Sequence, residues 1–440
     1  MPSPNLRETA IGVLKRLREA GFESYFAGGC VRDRLLGKDP QDYDIATQAP
    51  PEQVERLFGK TVLVGKAFGV VKVLADGFEV EVATFRSEGP YGDGRHPDWV
   101  KFSGAKEDVL RRDFTVNGML EDPVAGRILD FVGGEADLKR RLLRSIGDPA
   151  ARFEEDKLRM LRAIRFEAQL GFAIDPKTFD AVRALASKLA QVSWERIRDE
   201  LRKILASGRR ASGLRRLIES GLMQLILPEI TAMAGVPQPK EWHPEGDVLV
   251  HTLLAMEKLE NPGFEVAMGT LLHDVGKPPT LQMDGERPRF NQHERIGAEM
   301  AERICKRLRL SNEETETVVY IVAGHMKFKD VAQMRDSTLR RFLSEPHFDA
   351  LKEAHRADVL ASSGDLSALE FVKKKAVEFE AEGLRPEPLL RGRDLLGLGL
   401  RPGPHFAEIL QAVEDLQLEG KLRTRDEAIG HVRKTWPGHF

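Results

Sequence analysis

The sequence predicts an α+β head followed by a long all-α remainder, and three observations carry that reading. Residues 1–20 have helical periodicity, with Leu6, Ala10, Val13, Leu14 and Leu17 on one face. Between residues 24 and 135, short β-type runs alternate with glycine turns. After Leu138 the texture is helical almost to the end.

Strands are expected at Ser24–Ala27, Asp42–Ala46, Thr61–Val64, Val70–Leu74 and Phe78–Thr84. The last alternates, with Phe78, Val80 and Val82 on one face and Glu79 and Glu81 on the other. Gly28-Gly29 closes the first strand, and Val31–Leu36 reads as a helix. Beyond Leu138, prolines and glycines punctuate the helices at Asp148-Pro149, Gly171–Pro176, Gly208, Pro228, Pro237–Pro244, Pro278-Pro279, Pro346 and Pro386–Pro388. No fixed-period repeat is present. At 440 residues the chain exceeds one ordinary domain. Four parts are expected: a head at 1–145, a helical neck at 146–225, a body at 226–375 and a helical tail at 376–440.

Composition narrows the class. The chain is 41% hydrophobic and 31% charged, as in soluble globular proteins. No apolar run is long enough to cross a bilayer, and Met1–Leu14 lacks the pattern of a secretory signal, so no membrane role is expected. Two cysteines, Cys30 and Cys305, form neither a disulfide framework nor a zinc-finger spacing and fit a reducing cytoplasm. The net charge of −2 is not that of a strongly basic nucleic-acid binder. Phosphates, however, feel only charges within a Debye length, roughly 8 Å at physiological salt.

Residues 25–47, YFAGGCVRDRLLGKDPQDYDIAT, combine several weak signals. Glycines let the backbone approach a ligand, and a helix N-terminus offers free N–H groups to phosphate. Arg32 adds a bidentate phosphate donor. Asp42 and Asp44, two residues apart in a predicted strand, share a face. Paired carboxylates suit Mg2+, which prefers oxygen donors and supports phosphoryl transfer. Alone, Gly-Gly is usually a turn and Asp-x-Asp a solvated pair.

In this order the set resembles the opening motif of polymerase-β-like nucleotidyltransferases, in the branch of bacterial CCA-adding enzymes and poly(A) polymerases. Arg111–Asn117 resembles the family's RRDFTxN motif, which implies that Arg112 contacts nucleotide, as do Gly29 and Arg32. Glu155–Arg159 resembles EDxxR, extended by Arg162 and Arg165. The resemblance makes Asp156 and Arg159 a protein template for the base edge. An ionised Asp accepts from the exocyclic amine that cytosine and adenine both carry, and Arg donates to a ring nitrogen or carbonyl. Neighbours at i, i+3 on a helix would meet one base edge together. The same spacing turns Arg162 and Arg165 away from Asp156, towards phosphate or another domain.

The loop from Phe85 to Phe102 resembles the flexible segment that assists the switch from C to A addition. Val64–Val71 is closer to CCA-adding members than to poly(A) polymerases. Glu81 is a candidate third carboxylate. Ser193–Glu200 resembles the family's neck, and Arg196, Arg198, Arg202, Arg209, Arg210, Arg215 and Arg216 offer charges to RNA phosphates. Residues 384–430 resemble the tail.

A second constellation lies in the body. His251 is expected to begin an amphipathic helix; His273-Asp274, His293, His325 and Asp358 follow. Imidazoles with carboxylates suit nickel, manganese, iron or zinc. The order resembles the HD phosphohydrolases, which makes His251, His273, Asp274 and Asp358 ligands of one metal. His293 and His325 would widen the site towards a second metal or a phosphate. Some CCA-adding enzymes carry such a domain, with phosphatase or 2′,3′-cyclic phosphodiesterase activity.

The implied reaction is attack of a tRNA 3′-hydroxyl on the α-phosphate of CTP or ATP. No DNA partner is expected. Two alternatives stay open. One is an A-adding enzyme or poly(A) polymerase; the other is an HD phosphohydrolase whose head only binds RNA.

Overall fold

The computed structural model describes residues 5–65, 69–89, 100–239, 241, 245–384 and 386–437. The chain forms two compact units, Met1–Pro228 and Glu229–Phe440. No helix among the described residues is long and apolar enough to cross a membrane.

The first unit opens with the helix Leu6–Glu19. Asn5 caps it, accepting from Glu8 N at 2.9 Å, while Glu8 reaches back to Asn5 N. Ala10, Val13, Leu14 and Leu17 are buried along one face. Seven strands make a mixed sheet. They are β1 (Ser24–Ala27), β2 (Asp44–Thr47), β3 (Thr61–Gly65), β4 (Val70–Ala75), β5 (Phe78–Thr84) and, after β6 (Arg86–Glu88) and β7 (Val100–Phe102), β8 (Met119–Asp122) and β9 (Arg127–Asp130). Their order is β3-β4-β5-β2-β1-β8-β9. The β2–β5 pair is parallel and the other neighbours are antiparallel. Val80 and Val82 of β5 are buried while Glu79 faces water, as the alternation predicts.

Several expectations are corrected. The second strand begins at Asp44, so Asp42 precedes it; Pro40 and the bend at Gln41 delay the extended run. β8 and β9 were not foreseen, because Met119–Asp122 is buried throughout and shows no alternation. The loop at Phe85–Phe102 is closed at its base, where β6 pairs with β7. Its residues 90–99 lie outside the described residues, as do Lys66, Ala67 and Phe68 of the Val64–Val71 stretch.

Helices complete this unit, including Pro149–Glu155, Leu158–Leu170 and Trp194–Leu205. Two short pairs depart from the all-α remainder predicted after Leu138: the parallel pair Leu142–Leu143/Ala173–Ile174 in the first unit and, in the otherwise mainly helical second unit, the hairpin Leu281–Asp284/Arg287–Phe290. Its turn is Gly285-Glu286, with Gly285 at φ 62, a two-residue connection of the type that closes hairpins. Two apolar clusters lie in this unit. One gathers Ile321, Phe328, Leu351 and Phe379, and the other Leu395, Ile409, Val413 and Val432 of the tail.

Candidate functional sites: a carboxylate–arginine pocket and a histidine cluster

In the first unit, β1, β2 and β5 converge on a cavity of about 880 Å³. Asp42, Asp44 and Glu81 form its acidic wall. Pairing sets this up: Asp44 opposes Ala27 of β1 and Glu81 of β5. Burial raises the Asp44 carboxyl, Glu81 and Asp42 push it further, and it reaches about 7. The three carboxylates line one cavity and supply oxygen donors of the kind a hard divalent cation takes, although among the described residues their ligand atoms do not form a compact group.

The opposite wall is cationic. Gly28 has φ 76, and a Cβ there would sit 3.2 Å from Arg112 Nη1, so glycine is needed at the end of β1. Gly29 then starts the helix Gly29–Leu35, two residues earlier than the sequence predicts. Arg32 is buried; its Nη1 donates to Asn117 Oδ1 at 2.7 Å and its Nε to Asp33 Oδ1 at 2.8 Å. Buried Asp108 holds both Arg111 and Arg112, at 2.6 and 2.9 Å. It thereby fixes the guanidinium that the motif assigns to nucleotide.

The base-reading pair departs from the expected geometry. Asp156 and Arg159 are not neighbours on one helix. Asp156 ends Pro149–Glu155 in an extended conformation, and the next helix starts at Leu158. Its Oδ1 accepts from Leu158 N at 3.1 Å, an Asx turn that breaks the helix. Its Oδ2 accepts from Arg196 Nη2 at 2.8 Å. Arg159 Nη1 donates to Glu155 Oε2 at 2.6 Å. Against the prediction from spacing, Arg162 and Arg165 do not point away from Asp156 but line the same cavity. Arg162 Nε donates to Asp113 Oδ2 at 2.9 Å. Arg165 pairs with buried Glu200 at 2.9 Å, and burial lowers its pKa to about 10. Phe166 is encircled, with the guanidinium carbons of Arg165, Arg162 and Arg32 at 4.0, 5.4 and 5.5 Å from its ring centroid. The sequence reading placed Asn117 and Glu200 within motifs but not in the pocket, and it did not single out Phe166.

The second unit gathers its histidines from separate helices. His251 lies in Val248–Lys258, three residues after the start, because Asp247 rather than His251 caps that helix. His273 ends Phe264–Leu272, His293 begins His293–Arg307, His325 follows Asn312–Gly324, and Asp358 lies in Phe348–Ala361. Gly276 makes the approach possible, since a Cβ there would lie 2.1 Å from His293 O.

His251 Nε2 is 2.8 Å from Asp358 Oδ1, and His273 Nε2 is 3.2 Å from Asp274 Oδ2. The ligand atoms of His251, His273 and Asp274 form one compact group, and those of Asp274, His293 and His325 a second. Asp274 belongs to both. The Nδ1 atoms of His273, His293 and His325 donate to the carbonyls of Thr270, Phe290 and Val322 at 2.7, 2.8 and 2.7 Å. A carbonyl only accepts, so in the neutral ring Nε2 is left for a ligand, the usual support of a metal-binding histidine. At His273 burial opposes the charge, but Asp274 and Asp358 outweigh it and favour the charged ring. His293 Nε2 and His325 Nε2 face each other at 3.1 Å. Burial, reinforced by His273, lowers His325 to about 3. Burial alone would lower His251, but Asp358 and Glu245 outweigh it and bring it to about 9. Glu245, 2.7 Å from His251 Nδ1, and Lys277, 2.7 Å from Asp274 Oδ2, were missed because neither falls in a ligand motif. Both sites have donor sets suited to divalent metals.

The fold and the carboxylate–arginine pocket define a nucleotidyltransferase of the polymerase type. Residues 24–144 match the Poly A polymerase head domain, residues 171–233 the probable RNA and SrmB-binding site of polymerase A, and residues 248–362 the HD domain. The CCA-adding enzyme of Bacillus subtilis is 32% identical over 98% of both chains, and this chain belongs to the CCA-adding enzyme family. A shorter match to the Bacillus pumilus enzyme is 51% identical over 44% of this chain, spanning about half of that relative's length, 49%. The crystal structure of the Bacillus stearothermophilus CCA-adding enzyme with CTP superposes with a TM-score of 0.76 at 26% identity, covering 99% of this chain and all of that one. The Thermotoga maritima enzyme complexed with tRNA shares the fold, with a TM-score of 0.64 at 20% identity over 99% of this chain and 97% of that one.

Proposed function

We propose that this protein adds CCA to the 3′ end of tRNA from CTP and ATP without a nucleic-acid template. One observation carries the reading: a single cavity joins the Asp42–Asp44–Glu81 wall to Arg32, Arg112, Asp156, Arg159, Arg162 and Arg165. Asp42 and Asp44 would hold Mg2+, with Glu81 in support. When bound, the metal supplies positive charge for activating the attacking hydroxyl and stabilising the leaving oxygen. The clash of carboxylate charges at Asp44 supports that fit.

The chain's own groups do the rest. Gly29 lets the backbone approach a phosphate, and Arg32 and Arg112 contact triphosphate or sugar. Asp156 accepts from the exocyclic amine and Arg159 donates to the ring edge. Because Arg196 and Glu155 now hold these two side chains, base binding exchanges or shares those bonds. Arg162 and Arg165, within the same cavity, add positive charge and fix Asp113 and Glu200. We assign 1–145 to the nucleotidyltransferase head, 146–225 to the base-reading neck, 226–375 to the HD body and 376–440 to the tail, in a protein of the cytoplasm.

Incubation of a tRNA lacking its 3′ end with CTP alone, ATP alone and both tests the product. CCA addition requires CC with CTP alone and a complete end with both. Growth of a homopolymer from ATP alone would instead identify a poly(A) polymerase.

The histidine cluster favours a second activity, metal-dependent phosphoester hydrolysis. His251, His273, Asp274 and Asp358 would hold nickel, manganese, iron or zinc; His293 and His325, with Asp274 shared, have the donor set for a second ion. A metal there lowers the pKa of bound water. Assays on 2′,3′-cyclic phosphates and simple phosphoesters, with each metal in turn, test it.

A further inference from the structure

Beside the histidine cluster is a cavity of about 650 Å³, within the range of roughly 300–1,000 Å³ typical of small-molecule sites. His293 belongs to both, so the cavity opens onto the cluster. Its charge is one-sided. Lys277, Arg287, Arg289 and Lys329 line it, and no carboxylate is among the described lining residues. The acidic groups lie deeper, at Asp274 and Asp358.

The four cations are not equivalent. Lys277 is buried and committed, its Nζ 2.7 Å from Asp274 Oδ2 and 2.5 Å from Gln238 Oε1. It belongs to the metal end. Arg287 and Arg289 stand two residues apart on the hairpin strand Arg287–Phe290 and share a face. Arg287 lies 3.6 Å from Glu241 and Arg289 2.5 Å from Asp284, pairs whose side chains are all more than half exposed. Such pairs contribute little and exchange readily for a phosphate held bidentately. Between the two ends sits Phe290, half-buried, with Lys277 Nζ 5.5 Å from its ring centroid. An aromatic face in a basic groove takes a nucleobase by stacking.

One phosphate ester carries at most about two negative charges. The metal end, with Lys277, meets that demand, which leaves the hairpin arginines for a second phosphate. We propose that this cavity is the substrate entrance of the histidine centre and takes a nucleotide bearing two phosphate groups, one at the cluster and one at Arg287 and Arg289, with its base on Phe290. The assignment rests on the hydrolase reading of that centre. The two phosphates belong either to a free nucleoside bisphosphate or to the 3′ end of an RNA.

Hydrogen–deuterium exchange on the full chain, supplied with manganese, separates this cavity from the head pocket by position. The probes are hydrolysis-resistant phosphorothioates: adenosine 5′-monophosphorothioate, adenosine 3′,5′-bisphosphorothioate and a dinucleotide with a 3′-phosphorothioate. The bisphosphate is expected to protect segment 277–293 at about tenfold lower concentration than the monophosphate. Arg287→Ala/Arg289→Ala, at exposed hairpin positions, should erase that advantage and leave the monophosphate unchanged. Equal or stronger protection by the dinucleotide identifies the RNA end as the source; protection by the bisphosphate alone identifies the free nucleotide. Equal protection by one and two phosphates in the wild type overturns the inference, as does an advantage that survives in the double variant. If the advantage is present but no phosphoester is hydrolysed under any metal, the binding site stands and the hydrolase reading falls. Hydrolysis without the advantage has the reverse meaning.

Discussion

The head pocket and the histidine cluster both offer donors suited to divalent metals, yet they are built from opposite materials. The head presents carboxylate oxygens on a mixed sheet, across from a wall of arginines. The cluster presents imidazole nitrogens: His273, His293 and His325 stand at helix ends and are oriented by backbone carbonyls, and His251 lies within a helix beside Glu245. Hard oxygen donors with open space suit an ion that keeps its waters and shares substrate oxygens. Buried imidazoles with aligned lone pairs suit a transition metal held by the protein itself. The contrast lies in donor type and burial, the two properties that separate a site for a hydrated, oxygen-seeking ion from one for a transition metal.

The sharpest way to break the comparison is to remove one centre and measure both. Asp42→Ala should lower nucleotide addition by about a thousandfold or more, because charge stabilisation at phosphorus is lost. Its content of tightly bound transition metal, read by elemental analysis, should stay at the wild-type level. Near-normal addition by the folded variant would sink the assignment of Asp42.

The reciprocal change is next in size. Asp274→Ala removes the carboxylate common to both histidine groups, so bound transition metal and any phosphoester hydrolysis should be lost while CCA addition persists. Loss of both activities in a folded protein would mean that the two centres are coupled.

Specificity within the head should respond less. Asp156→Ala removes the acceptor for an exocyclic amine, and preference for CTP and ATP over UTP and GTP should fall by about tenfold to a hundredfold. Relative incorporation of the four nucleotides reads this directly. An unchanged preference would point to another base reader, and Arg196, which already holds Asp156, would be the next residue to vary.

The smallest effect concerns stability, and it separates a scaffold pair from the reactive groups. Burial opposes the charge on Asp113, but Arg162, Asn117 and the Phe114 N–H outweigh it, and the pKa falls to about 2. An unfolded aspartate titrates near about 3.9. Since the folded value is the lower one, the contribution is complete above roughly pH 4 and is lost as pH falls towards 2. On the order of 2 kcal/mol of unfolding free energy should disappear across that window. Asp113→Asn should flatten this part of the profile in acid denaturation, and an unaltered profile would show that the Asp113–Arg162 pair does not carry it.

The sequence by itself determined what local patterns encode. The alternation of Val80 and Val82 with Glu79 specified a half-buried strand, and Gly28-Gly29 marked the turn that closes the first strand. Motif order singled out Asp42, Asp44, Arg112 and Asp156, and the spaced histidines with Asp274 and Asp358, as candidates. Tertiary structure alone decided which of these groups meet. Strand register brought Glu81 beside Asp44, a pairing across 37 residues that no window of sequence contains. An Asx turn at Asp156 interrupts the helix that the EDxxR spacing implied, and Arg162 and Arg165 line the same cavity as Asp156. Arg196 found Asp156, and Glu245 and Lys277 found the histidine cluster, through contacts between separate elements. The physical reason is the range of the forces. Periodicity and capping act within a few residues along the chain, whereas pKa shifts and ligand sets depend on charges a few ångströms apart in space, wherever the chain happens to bring them from.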